Sequence, residues 1–118
     1  AGTKTIVSHH DFKKTASDLA LRRTIQRCRN SGATVSKLVT TATRLEDNLR
    51  LLRLIRETSE RTKLVCFAMG KLGLQSRIYS PIYGAAFTFA SLEDDQTVAP
   101  GQLSVCKMRH LYKQLGYA

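Results

Sequence analysis

The sequence predicts an α/β fold in which helices cover a parallel sheet, and three observations carry that expectation. Short runs of β-branched and aromatic residues alternate with amphipathic helical stretches, the order that builds parallel sheets. The runs are apolar at successive positions rather than at every second one, as strands buried on both faces require. Their repeat is about 29 residues, one βα unit, with no internal sequence repeat. Two architectures compete: an open doubly wound sheet, or part of a (β/α)8 barrel of the TIM type. No G-x-G-x-x-G or Walker loop follows the first strand, which weakens the nucleotide-binding doubly wound version. A whole barrel takes about 250 residues. The 118 residues, read as a single domain over 1–118, hold four βα units and make a half barrel.

The first strand spans 3–8, where Thr5, Ile6 and Val7 suit a pleated surface. A helix over 16–30 follows: Thr15-x-x-Asp18 reads as a capping box, Leu21, Ile25 and Cys28 recur at helical spacing, and Gly32 stops it. The second strand is 35–40, and the second helix opens at Thr43-x-x-Glu46 with an inward stripe of Leu45, Leu49, Leu52 and Ile55. "KLVCFAM" at 63–69 is the third strand, followed by a shorter helix over 75–83. "AAFTFA" at 85–90 is the fourth, and Val105, Met108, Tyr112 and Leu115 mark a last helix beyond the loop "TVAPGQ". Four strands, where a barrel needs eight, leave open edges near Thr5 and Thr88. They also leave Ile6, Val35, Val39, Val65, Phe67 and Phe87 covered on one side only. A partner is therefore expected, either the amino-terminal half of a barrel or a second copy in a homodimer.

Apolar residues make up 42% of the chain and charged residues 24%, ordinary for a globular domain. No apolar run reaches the roughly 18 residues of a membrane span, and the start lacks a signal-peptide layout, so no membrane partner is expected. The three cysteines, Cys28, Cys66 and Cys106, are odd in number and lack metal-ligand spacing. They read as buried thiols of a cytoplasmic protein. The net charge of +10 suits nucleic acid, or the steering of a small anionic substrate. Its densest stretch, "RRTIQRCR", spreads Arg22, Arg23, Arg27 and Arg29 around a helix with no interleaved ring to stack on bases. A solvated helix face is the expectation there, ahead of a nucleic-acid surface.

In barrel enzymes the chemistry collects at the carboxyl ends of the strands. The first strand runs into "SHHDF", with Ser8, His9 and His10, where metal ligand, catalytic base and surface residue are all open readings of the histidines. The second carries Lys37 amid apolar and hydroxyl neighbours. The third ends at Met69 and is followed by Arg77, and the fourth holds Phe87 and Phe89 before Gln102. Side chains alternate along a strand, so Ile6, Ser8 and His10 share a face, as do Val35, Lys37 and Val39. With both sets inward, a lysine short of water meets a histidine from the neighbouring strand. Such a lysine presents a free amine able to form a Schiff base, and a histidine titrating near neutrality suits proton shuttling. On parity alone, a lysine that snorkels to solvent and a histidine that caps its strand stay open.

These residues fall in motifs that resemble type I 3-dehydroquinate dehydratase. Ser8-His9-His10-Asp11-Phe12 is similar to that family's S-x-H-D-F, and "GATVSKL" at 32–38 resembles its G-A-D-x-x-K segment. The stretch from Met69 to Arg77 is similar to M-G-x-x-G-x-x-S-R; Thr88-Phe89 and Ala99-Pro100-Gly101-Gln102 resemble the T-F strand and the A-P-G-Q loop. The motifs run in series over nearly the whole chain and correspond to the carboxyl-terminal half of the family's barrel. The resemblance implies a lyase that dehydrates 3-dehydroquinate to 3-dehydroshikimate, in the shikimate pathway of aromatic amino acid biosynthesis, with no metal and no organic cofactor. It implies Lys37 as the Schiff-base amine and His10 as proton donor and acceptor, with His9 structural on the opposite face. Arg77 would hold the substrate carboxylate and Gln102 the ring hydroxyls. Ser8 would also touch substrate, and Met69 and Phe89 would wall the lysine off from water.

The chain departs from the family pattern at Phe67, where a second methionine is common, and at Val98, where a substrate-contacting serine is common. Nothing in 1–118 supplies the family's E-x-R motif or the carboxylate that orients the catalytic histidine. Three readings follow: a fragment of a longer enzyme, a natural half barrel with a partner, or a non-catalytic relative that binds a ligand or regulates.

Overall fold

The computed structural model describes residues 2–92 and 103–117. Three strands, β1 (Ile6–His10), β2 (Val35–Thr41) and β3 (Leu64–Met69), form a parallel sheet in the order β1-β2-β3. Helices α1 (Asp18–Asn30) and α2 (Glu46–Thr58) connect them. A 3-10 turn at Lys71–Gly73 leads into α3 (Leu74–Tyr79), and α4 (Val105–Gln114) follows later in the chain.

Both helix starts lie slightly beyond the expected capping boxes. Ser17 caps α1, its hydroxyl accepting the Ala20 N–H at 3.2 Å, because Thr15 turns inward to Thr40 Oγ1 at 2.7 Å. At α2 it is Asp47, not Glu46, that accepts both the N–H and the hydroxyl of Thr43. Burial pushes the Asp47 carboxyl up, but the Thr43 amide and the Arg50 guanidinium, 3.0 Å away, outweigh it and hold the group below its usual range. Arg50 also donates to Thr15 O, Ala16 O and Asp18, tying the first βα connection to the start of α2. The buried side of α2 is Leu51, Leu52, Leu54 and Ile55, while Leu45 and Leu49, expected inward, are exposed. Asp47 and Asn48 take the inward positions at this end because their side chains bind backbone of adjoining segments.

Both connecting helices pack on one face of the sheet. Leu21 and Ile25 of α1, with the four inward residues of α2, meet Leu38, Leu64, Cys66 and Ala68 in one core. Each such side chain contributes about 1.5–3 kcal/mol by leaving water. A doubly wound sheet has helices on both faces and a reversal of strand order; among the described residues the sheet has neither.

The segment 85–90, expected as a fourth strand, forms no ladder. Ala86 N–H donates to Leu64 O at 2.8 Å, and the Thr88 hydroxyl then donates to Arg77 O, drawing the chain away from the edge of β3. Phe89 folds over the second face instead, against Val39, Val65 and Phe67. Those three are buried, so the expected one-sided cover does not hold for them, whereas Ile6 and Phe87 are exposed. Helix α3 ends at Tyr79 rather than at 83, because Pro81 has no N–H to donate to Arg77 O, which accepts the Thr88 hydroxyl instead. Cys28 and Cys66 are buried, but Cys106 is exposed, because α4 turns Met108 inward. Arg22, Arg23, Arg27 and Arg29 face solvent, and Arg22 pairs with Glu57 at 2.9 Å.

Candidate active site

Strand register decides which side chains meet. Ser8 pairs with Lys37, Lys37 with Val65, His10 with Val39 and Val39 with Phe67. Alternation along each strand puts all of these, with Met69, on the face turned away from α1 and α2. His9, paired with Leu38, belongs to the other parity. A cleft of about 160 Å³ opens on the first face, lined by His10, Lys37, Val39, Phe67, Met69, Arg77 and Phe89. Five of the residues expected from sequence thus share one cleft: His10, Lys37, Met69, Arg77 and Phe89. Ser8 has the right parity but does not line the cleft. Gln102 lies outside the described residues, as does Val98.

The cleft lowers the proton affinity of its amine and imidazole beside a fixed positive charge. Lys37 Nζ stands 4.1 Å from the centre of the Phe89 ring, and the Arg77 guanidinium carbon 4.2 Å from that of Phe67. The two rings meet edge to face at 6.0 Å, so each cationic group rests on an electron-rich face. Burial pulls the Lys37 amine below its ordinary value, and the charge on Arg77 adds to the effect. His10 is also lowered, by burial first, then by Lys37 and His9; its ring stacks on Phe12 at 5.9 Å. Arg77 is lowered by burial alone, yet a guanidinium keeps its proton in proteins. Only 2% of Arg77 is exposed, and its Nε has no hydrogen-bond partner among the described residues.

Sequence reasoning overlooked Phe67 as the platform for Arg77. The signal was available, since Phe67 stands two positions from Met69 and shares its parity. A larger groove of about 370 Å³ on the outer surface, between α2 and α3, includes no histidine, lysine or arginine in its lining. Among the described residues no group of three or more His, Cys, Asp or Glu could hold a metal ion, and no helix is long and apolar enough to cross a membrane.

The family model for type I 3-dehydroquinase matches residues 1–118. The chain belongs to the type I 3-dehydroquinase family. The 3-dehydroquinate dehydratase of Dehalococcoides mccartyi is 42% identical over 115 residues, which are 98% of this chain and 51% of the relative. That of Thermococcus gammatolerans is 43% identical over 110 residues, 93% of this chain and 49% of the relative. Among solved structures, the Geobacillus kaustophilus 3-dehydroquinate dehydratase superposes with a TM-score of 0.87 at 30% identity, over 96% of this chain and 44% of that one. The type I enzyme of Clostridium difficile, solved with covalently modified comenic acid, gives a TM-score of 0.83 at 28% identity, over 95% of this chain and 44% of that one. This dehydroquinase-family chain spans about half the length of the curated relatives it matches.

Proposed function

We propose that this chain is the catalytic, carboxyl-terminal half of a 3-dehydroquinate dehydratase, a half barrel whose open side is completed by the family's other half or by a second copy. One observation carries the reading: His10, Lys37 and Arg77 line the same cleft, with the amine and the imidazole both shifted toward their neutral forms. Arg77 seats the ring carboxylate of 3-dehydroquinate on its guanidinium, offering the buried Nε that has no partner among the described residues. Lys37 then attacks the ring ketone, and water leaves as the imine forms. Neutral His10 removes the ring proton next to the imine carbon, and the electron pair moves to the imine nitrogen as an enamine. The same imidazolium protonates the departing hydroxyl, which leaves as water. Hydrolysis of the product imine consumes one water, frees 3-dehydroshikimate and restores Lys37, for a net loss of one water. Met69 and Phe89 keep bulk water from the amine.

Borohydride reduction tests this directly. With the sheet completed by its other half, and 3-dehydroquinate or 3-dehydroshikimate present, reduction is expected to fix the ligand covalently on Lys37, read by peptide mass spectrometry. An absence of adduct, or an adduct on Lys63 or Lys71, refutes the assignment.

A further inference from the structure

Helix α3 is six residues long and begins without a side-chain cap of its own. The first amides of a helix lack intrahelical acceptors, and the Ser76 N–H finds one on another helix: Asn48 Oδ1 of α2, at 3.0 Å. The amide nitrogen of the same side chain donates to Leu72 O, to Leu45 O at 3.1 Å and to Gln75 Oε1 at 3.4 Å. Asn48 is 3% exposed. A buried amide is costly unless its hydrogen bonds are made. Apart from the one to Leu45 in its own first turn, those of Asn48 run to the segment that carries Arg77. Ser76 extends the link to the sheet, its hydroxyl donating to Gly73 O at 2.8 Å and accepting the Ala68 N–H at 2.9 Å. Arg77 is the next residue, held on its other side by the Thr88 hydroxyl at 2.8 Å. Helix α2 follows the strand of Lys37, so one asparagine side chain bridges the unit bearing the amine and the unit bearing the guanidinium.

We infer that Asn48 is a positioning residue for Arg77: acting through Ser76, it sets where α3 starts, and so the separation between the carboxylate seat and the imine-forming amine. It touches neither substrate nor reacting atoms. The kinetic part of this inference rests on the dehydratase reading, while the placement of Arg77 does not.

Three variants of the active assembly test it: Asn48→Ala, Ser76→Ala, and Leu21→Ala as a control that weakens the α1 core. Losing a seat that serves ground state and transition state alike raises KM and spares kcat. Asn48→Ala is expected to raise KM for 3-dehydroquinate by about tenfold with kcat within about twofold, and Ser76→Ala to act in the same direction. Leu21→Ala should lower Tm and leave KM unchanged. Without substrate, the Arg77 Nε–H cross-peak in nitrogen-15 NMR spectra should move or broaden in the first two variants and stay in place in the third. A KM unchanged in Asn48→Ala, a kcat loss as large as the loss in kcat/KM, or an unmoved Arg77 signal overturns the inference. If Asn48→Ala does not fold, Ser76→Ala decides by the same criteria. A wild-type assembly that does not turn over 3-dehydroquinate overturns the dehydratase reading instead, and the NMR comparison then decides the role of Asn48.

Discussion

Replacing Gly73 with alanine places a methyl group where there is no room for one. On the observed backbone its Cβ falls 2.4 Å from Ala68 O and 2.8 Å from Ala68 Cβ, and Ala68 is pinned in the ladder with β2. The φ of Gly73 is −94°, open to any residue, so the demand here is for space rather than for backbone freedom. Ordinary contact begins near 3.4 Å, so α3 has to retreat from β3 by about 1 Å. The retreat stretches the 2.9 Å bond from Ala68 N–H to Ser76 Oγ, and leaving that buried amide unpaired costs about 1–3 kcal/mol. Overpacking strain adds about 1–3 kcal/mol. Urea denaturation of Gly73→Ala is therefore expected to show a loss of about 2–6 kcal/mol. Arg77 travels with the helix, and a displacement of about 1 Å in a positioning group can cost about 100-fold in kcat/KM. A loss under about 1 kcal/mol with kcat/KM unaltered would refute the close-contact account of this turn.

The two histidines should separate cleanly. His10→Ala is expected to slow turnover by at least about 100-fold while still allowing a reducible adduct on Lys37, and His9→Ala to stay within about threefold of wild type; equal damage from both would reverse the assignment of faces. Because burial, Lys37 and His9 all lower His10 from 6.5, the His10 ring protons followed by NMR should titrate on the acid side of that pH; a His10 titration above 6.5 would contradict the neutral-imidazole role. A thiol-specific reagent should label exposed Cys106 rapidly in the native protein and spare the two buried thiols until denaturant is added; that of Cys66 is also pushed up to about 12 by its burial. Fast labelling of a second thiol would show that the core opens more readily than its packing implies.

Strand parity was legible in the sequence because it depends only on alternation. Alternation placed Ser8 with His10 and Lys37 with Val39, each pair on one face of its own strand, and the register brings the two pairs to the same face. The segment 85–90 was misjudged for the complementary reason. Its β-branched and aromatic residues suit a strand, but a ladder needs backbone partners, and the Thr88 hydroxyl bond to Arg77 O draws the chain off β3. Leu45 and Leu49 read as core since helical spacing cannot reveal that Asp47 and Asn48 have hydrogen-bond partners inside. Asn48 itself carries no sequence signature, because its partners are backbone groups of a segment some two dozen positions away.

The pairing of each basic side chain with its own aromatic ring has a consequence for how the cleft responds to ordinary solution ions. While the cleft is empty, the charge on Arg77 helps to drive the proton from Lys37. A phosphate or acetate ion that settles on Arg77 cancels that repulsion. It then occupies the proposed carboxylate seat and at the same time favours the charged form of an amine it does not touch. Under the proposed roles of Lys37 and Arg77, inhibition by small anions is then not simple competition: its strength follows the protonation of the amine, and two buffers at equal pH and ionic strength can leave the same protein with different amounts of uncharged lysine.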